Sequence, residues 1–458
     1  MSLMLIEKTH SLIENHRALR DLLNTYGPAS LSSGRDANLE RFAKVGIPTT
    51  KDEEFKYLPL HPLADTEFVH AYGATVNSPE IEILPLGKTD AITLTFVNGE
   101  YAPELTNPSG LPAGAIVMSL RDAFEEHEAL VMQHLGKVAT LENRLGSTND
   151  ERFVWLNSAY LGEGAFIYVP KGVAVEIPIH LRFVNRADHG PFATHPRVLI
   201  VLEENAQAKV VESHSVLPLL VAAKQDGEGV GGWGTYFVNV VDEVHLGANA
   251  ILEHVKFQNE GTEAIHIANL YAHQESGSTY TSTQVCVGGA ISRADVNAFV
   301  DGEHCETWLN GAYFGVRDQI MDNHTRIDHA KPNCHSFEVY KGILDDKSVG
   351  VFNGKIFVYE DAQKTDAKQT NQALLLSRTA TINTKPQLEI FADDVKCTHG
   401  ATIGQIREDA LFYLRSRGIP EADARKLLVY AFVAEVLEKI SIDEVREGLE
   451  KFLFDRLA

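Results

Sequence analysis

Cysteine is scarce in this sequence, with four in 458 residues: Cys286, Cys305, Cys334 and Cys397. No two of them form a C-x-x-C pair, which excludes a disulfide-stapled secreted scaffold. Four scattered thiols also fall short of the closely spaced set with which a chain holds an iron–sulfur cluster alone. Any metal or sulfide bound here therefore needs ligands from elsewhere. No run approaches the roughly 18 apolar residues of a membrane helix. The N-terminus lacks the basic start, apolar run and small-residue cleavage site of a signal peptide, so a cytoplasmic protein without a membrane partner is expected. Positive charge is short too. The net charge of −22 repels phosphate backbones and argues against nucleic acid as a partner. No G-x-x-x-x-G-K-[ST] occurs, so nucleotide hydrolysis by the P-loop route is not expected. Residues 227–232 (GEGVGG) do fit G-x-G-x-x-G, but a strand pattern follows at 235–241. A pyrophosphate would meet no helix N-terminus there, and the segment reads as a surface loop.

What is present divides the chain into three regions. Residues 1–150 begin with an amphipathic helix over 3–26, with Ile6, Ile13, Leu19, Leu22 and Leu23 on one side and Gly27-Pro28 as its stop. A shorter helical pattern covers 36–45, and 60–150 is mixed and assigns no function to itself. Residues 151–405 are dense in short Val, Ile, Phe and Tyr runs broken by Gly, Asn, Asp and Pro, such as 166–169, 198–202, 236–241, 264–268 and 355–359. This is the texture of a long all-β domain, and a sandwich, a propeller or a solenoid would satisfy it. The turn clusters 204–207, 247–250 and 361–364 resemble one another, but uneven spacing gives no clean repeat. Residues 406–458 are helical again. One helix spans 408–417 and stops at Gly418. A second spans 421–439, with Leu428, Phe432 and Val436 on one face and Leu427, Ala431, Ala434 and Leu437 beside it. Ser441 with Glu444 predicts a capping box for a third. That apolar helical surface either packs on the β domain or docks another protein.

Two clusters of soft ligands stand out. His324, His329, Cys334 and His335 lie within twelve residues but match no zinc spacing, and Pro332 prevents one continuous helix. They read as ordinary polar strand residues. Cys397 and His399 differ. If extended, residues 393–402 place both on one face, about 7 Å apart at Cα, while Thr398 points away. A thiolate and an imidazole so placed make half a site for zinc, iron or a cluster, and a second element or subunit must complete it. The alternative is that both simply pack in a strand.

Residues 387–404 (QLEIFADDVKCTHGATIG) and 411–419 (LFYLRSRGI) closely resemble the SufB/SufD family of the SUF iron–sulfur assembly machinery, on its SufD side. Residues 351–356 (VFNGKI), 362–376 (AQKTDAKQTNQALLL) and 46–57 (GIPTTKDEEFKY) resemble it too, with Phe55 where that family often has Trp. The resemblance implies a right-handed parallel β-helix core flanked by N-terminal and C-terminal helical regions. It implies a scaffold rather than an enzyme, working in complex with SufB and with SufC, an ABC-type ATPase docked on the C-terminal helices. Leu411, Phe412, Tyr413, Leu428, Phe432 and Val436 are then the contact candidates. Cys397 and His399 match positions near the cluster-building interface with SufB. No cofactor would be held tightly by this chain alone, only a transient iron or iron–sulfur cluster shared with SufB. SufB carries a cysteine before its last strands and a His-Glu pair; here residues 377–382 (SRTATI) have no cysteine and Gly400 follows His399. The chain thus resembles the supporting half of a shared site.

Two rival functions are weighed. A β-helix carbohydrate-active enzyme would use acidic and basic side chains in a groove, and Asp345, Asp346, Asp361, Arg378 and Lys385 are the residues available. A purely structural partner subunit would only pack Cys397 and His399. In isolation, exposed β-helix edges would permit a homodimer.

Overall fold

The computed structural model describes residues 10–71, 76–82, 85–142, 144–146, 150–187, 190–217 and 234–456. The G-x-G-x-x-G segment 227–232 and Ile6 lie outside them.

β-branched and aromatic side chains suit a pleated surface, and here their runs alternate between two sheets. One sheet stacks Gly164–Val169, Arg197–Leu202, Tyr236–Leu246, Ile265–Gln274, Ile291–Val300, Ile320–His329, Val349–Val358 and Thr381–Ile390. The other stacks Ile92–Val97, Ile179–Asn185, Gln207–Val216, Ile251–Asn259, Thr279–Cys286, Glu306–Gly315, His335–Leu344, Asp366–Leu375 and Lys396–Gly404. Neighbours in these stacks are parallel and in register, as in Ile320↔Val349 and Glu306↔His335. The chain is therefore mainly β, a parallel β-solenoid of about seven turns with helical N- and C-terminal regions, as the resemblance implied. Ile92–Val97, inside the stretch that sequence pattern left unassigned, pairs with Ile179–Asn185 and opens the second sheet.

The repeat hidden in the sequence lies in one corner of each coil. Two residues before the strands starting at Gln207, Ile251, Thr279, Glu306, His335 and Asp366 stands a residue of positive φ: Asn205, Asn249, Gly277, His304, Asn333 and Lys364. The left-handed conformation is cheap for Gly and tolerable for Asn. Because His and Lys also fill it, and coil lengths vary, no sequence period emerges.

Three main cores hold the fold. The lumen contains Ile92, Leu94, Val198, Ile200, Leu270, Leu309 and Tyr313, all at most 1% exposed. The helices His10–Leu23, Ala29–Val45 and Arg152–Ala159 cover the outside of the first sheet, where Phe42, Phe55 and Phe153 meet Phe237, Ile265 and Ile291. The helices Glu421–Leu437 and Asp443–Arg456 cover the second, where Val429, Val433, Val436, Leu449 and Leu453 meet Val255, Phe257, Val285 and Ile343. Among the described residues the last coil has no such cover. Most of Thr381–Ile390 and Lys396–Gly404 is partly or fully exposed, and Ile390, Phe391 and Ile403 are 40–52% accessible.

Local helix signals fared unevenly. Gly418, at φ 85°, ends the helix Glu408–Ser416 as expected. The capping box does not form. Ser441 instead bonds Glu253, and Glu444 Oε2 accepts from the Asp90 backbone N–H at 3.0 Å. Partners on the solenoid, distant in sequence, won over the local motif.

Candidate functional site

Cys397 and His399 sit on Lys396–Gly404, the last strand of the second sheet, which pairs with Asp366–Leu375 on one edge. The register sets Cys397 beside Ala367, His399 beside Gln369 and Ala401 beside Asn371. Ala367, Gln369 and Asn371 are at most 1% exposed and face the lumen, and in-register neighbours point the same way. Cys397 and His399 therefore share the lumen side, as alternation along an extended strand predicts, but at the open mouth of the solenoid. Cys397 is half-buried against Ile356, Val358, Ala362 and Ala367. Burial raises its thiol pKa, the Ala367 backbone N–H opposes this, and Asp366 adds to it. The sulfur is thus protonated at neutral pH, and a metal could bind it only by displacing that proton. His399 is exposed. Among the described residues no three His, Cys, Asp or Glu side chains gather to hold a metal ion.

One coil below His399 the lumen holds a polar chain. Gln369 Nε2 donates to Glu338 Oε2 at 2.8 Å, and Thr325 Oγ1 donates to Glu338 Oε1 at 2.5 Å. Glu338 is 1% exposed and no salt bridge reaches it among the described residues. Burial pushes its pKa up to about 7, with the hydrogen bonds from Thr325 and Gln369 opposing. Sequence reasoning missed Glu338 and Gln369. Both lie in ordinary alternating strands, and only the inter-coil register sets them beneath His399.

The other soft ligands are dispersed. His324 faces outward, with Nε2 2.9 Å from Asp322 and Nδ1 3.4 Å from Glu54. His329 faces inward and bonds Ser336 Oγ at 2.9 Å, while His335 is exposed. Among the described residues they form no common site. Cys286, Cys305 and Cys334 are buried in the lumen wall, and burial pushes the Cys286 thiol up to about 12. Two of the residues weighed for carbohydrate chemistry, Asp345 and Lys385, line different cavities. Asp345 lines a cavity of about 300 Å³ beside Arg425, whereas Lys385 lines another of about 370 Å³ and pairs with Glu53 at 2.9 Å.

On the C-terminal helices the candidate contacts split. Leu411 and Val436 are 3% and 0% exposed and packed within the chain, so neither belongs to a free surface. Leu428 and Phe432 are partly covered, and Lys341 Nζ lies 5.1 Å from the Phe432 ring centroid. Phe412 and Tyr413 stand out, 72% and 57% exposed. The reason is angular. The solenoid takes the stripe Val429, Val433, Val436, in which Val429 and Val433 sit one residue, about 100° around the axis, from Leu428 and Phe432, while Val436 is common to both sets.

Comparison with known proteins follows this architecture. The family described as "SUF system FeS cluster assembly, SufBD core domain" matches residues 183–432, and "SufBD protein N-terminal region" matches residues 6–181. The chain is 31% identical to the iron–sulfur cluster assembly protein SufD of Escherichia coli over 92% of this chain and 90% of that one. It is 32% identical to an iron–sulfur cluster assembly SufBD family protein of Synechocystis, with the same coverage. Protein ABCI7, chloroplastic, of Arabidopsis thaliana is 31% identical over 94% of this chain and 87% of its own length. With both segments matched and the solenoid continuous through them, the chain belongs to the SufBD family of the SUF iron–sulfur cluster assembly system.

Proposed function

We propose that this chain is a SufD-type scaffold subunit. It pairs its open solenoid end with a SufB-like subunit, docks a SufC-like ATPase on its C-terminal helices, and lends His399, with Cys397, to iron at the shared interface. The observation that carries this is the bare last coil. A half-buried thiol and an exposed imidazole share the lumen side of a strand at the end of its sheet, with no third ligand among the described residues. Ile390, Phe391 and Ile403 around them leave apolar area exposed that a partner would cover. The iron or cluster is cargo, held transiently with ligands from both subunits, and the sulfur-bearing thiolate belongs to the SufB side. ATP-driven closure of two SufC subunits would twist the paired solenoids and open that interface.

His399→Ala, reconstituted with SufB and SufC, is expected to assemble clusters at least tenfold more slowly while the subunits still co-purify, the scale on which a lost metal ligand acts. Wild-type assembly by this variant would remove His399 from the mechanism. Phe412 and Tyr413 supply the ATPase contact. Replacing both by Ala should weaken SufC binding by about 2 kcal/mol or more without a change in melting temperature, because neither side chain is buried in the isolated chain. Equal SufC affinity measured by calorimetry would place docking elsewhere.

A further inference from the structure

A buried carboxylate without a cation is costly, and such groups need a reason. Glu338 is one. Its two oxygens are taken by Thr325 Oγ1 and Gln369 Nε2. An ionised carboxylate only accepts hydrogen bonds, so the amide atom 2.8 Å from it is the nitrogen, and Gln369 Oε1 must point elsewhere. Oε1 is buried and has no hydrogen-bond partner among the described residues. The amide lies over Gly354, where an added Cβ would stand 2.2 Å from Nε2. The strand register puts Glu338 on one side of Gln369 and His399 on the other.

We propose that Glu338 and Gln369 are positioning residues for His399: the carboxylate fixes the Gln369 amide, whose Oε1 accepts the ring N–H of His399 and leaves the second ring nitrogen free to bind iron. Metal-binding histidines are usually oriented by such an acceptor on their other nitrogen, and its loss costs about 10–100-fold in metal affinity. Thr325 completes the chain by holding the other carboxylate oxygen from the opposite sheet. Burial raises the carboxyl pKa to about 7, so the ionised form that fixes the amide prevails only above neutrality. The proposal rests on the reading of His399 as a metal ligand, but its test does not.

The test uses the full chain labelled with ¹⁵N-histidine, with the His399 ring signals identified by their loss in His399→Ala. Where the ring is neutral, wild type should favour one tautomer by about tenfold, the bias one net hydrogen bond supplies. In Glu338→Gln the new amide can donate to Gln369 Oε1 and turn that amide around. In Gln369→Leu the acceptor is gone. Both variants should bring the tautomer ratio to within about threefold of unity while keeping the wild-type circular dichroism. A core defect alone would not shift that ratio. Should Gln369→Leu fail to fold, Glu338→Gln decides alone. An unchanged ratio in a folded Glu338→Gln chain would overturn the proposal. Normal cluster assembly by His399→Ala would instead remove His399 as an iron ligand and leave the tautomer result standing.

Discussion

Glu338→Gln should make the folded chain more stable at neutral pH, by about 3 kcal/mol above pH 7. The carboxyl ionises near its ordinary value of 4.5 when the chain is unfolded and near 7 in the lumen, where burial is the dominant cause. Between those values the folded state holds a proton that the unfolded state has released, so stability falls as pH rises. Above about pH 7 the full cost of an ionised carboxylate without a cation is present. Below about pH 4.5 it vanishes, because both states are protonated. A glutamine fills the same space and never ionises. Urea unfolding of wild type and variant should therefore coincide near pH 4 and separate progressively toward pH 8. A variant less stable than wild type at pH 8 would show that the hydrogen bonds from Thr325 and Gln369 outweigh the desolvation. A gain in stability beside a displaced His399 tautomer is the usual signature of a residue kept for function at a cost in stability.

Glu54→Ala should cost about 3–5 kcal/mol, the scale of removing one partner from a buried ion pair. Glu54 belongs to the segment 46–57 and reaches the outer face of the solenoid near its open end. There Lys355 Nζ lies 2.6 Å away, His324 Nδ1 3.4 Å and Asn353 Nδ2 3.4 Å. Burial alone would raise its pKa, but the His324 and Lys355 partners overcome this and hold it well below the usual carboxylate range. The neighbouring Phe55, 2% exposed, lies 4.1 Å from the Arg293 guanidinium. Loss of Glu54 leaves Lys355 and His324 unpaired on that side and loosens the segment. A carboxylate with a depressed pKa stabilises above about pH 4.5 and ceases to do so as pH falls through its folded value. His324, whose pKa is raised by Asp322 and Glu54 against burial and Arg293, contributes fully below about 6.5 and less as pH rises through its folded value. The gap between wild type and Glu54→Ala should thus be widest near pH 5–6 and narrow on either side. Proteolysis should also cut near residue 50 sooner in the variant. A loss under 1 kcal/mol would show that the aromatic packing of Phe55 suffices to hold the segment.

The alternation that set Cys397 and His399 on one face was legible because a strand's period of two is local. The helices near both ends were legible for the same reason, as was the stop at Gly418, whose positive φ glycine supplies without strain. Which face of Glu421–Leu437 is buried was not. Leu428, Phe432 and Val436 and the stripe Val429, Val433, Val436 are both apolar at helical spacing, and only the solenoid decides which is buried. The coil repeat escaped detection because its fixed element is a backbone conformation, filled in turn by Asn, Gly, His and Lys.

The amino-acid order by itself determined a β-rich middle between helical ends, the scarcity of thiols, and a thiol and an imidazole sharing one side of a strand. These are properties of composition and short-range periodicity. The tertiary structure alone decided that this side is the lumen, that the lumen ends open there, and that Gln369 and Glu338 lie in succession beneath His399. Those facts depend on register between coils some thirty residues apart along the chain. That register is set by packing within the lumen and leaves no local mark on the residues it brings together.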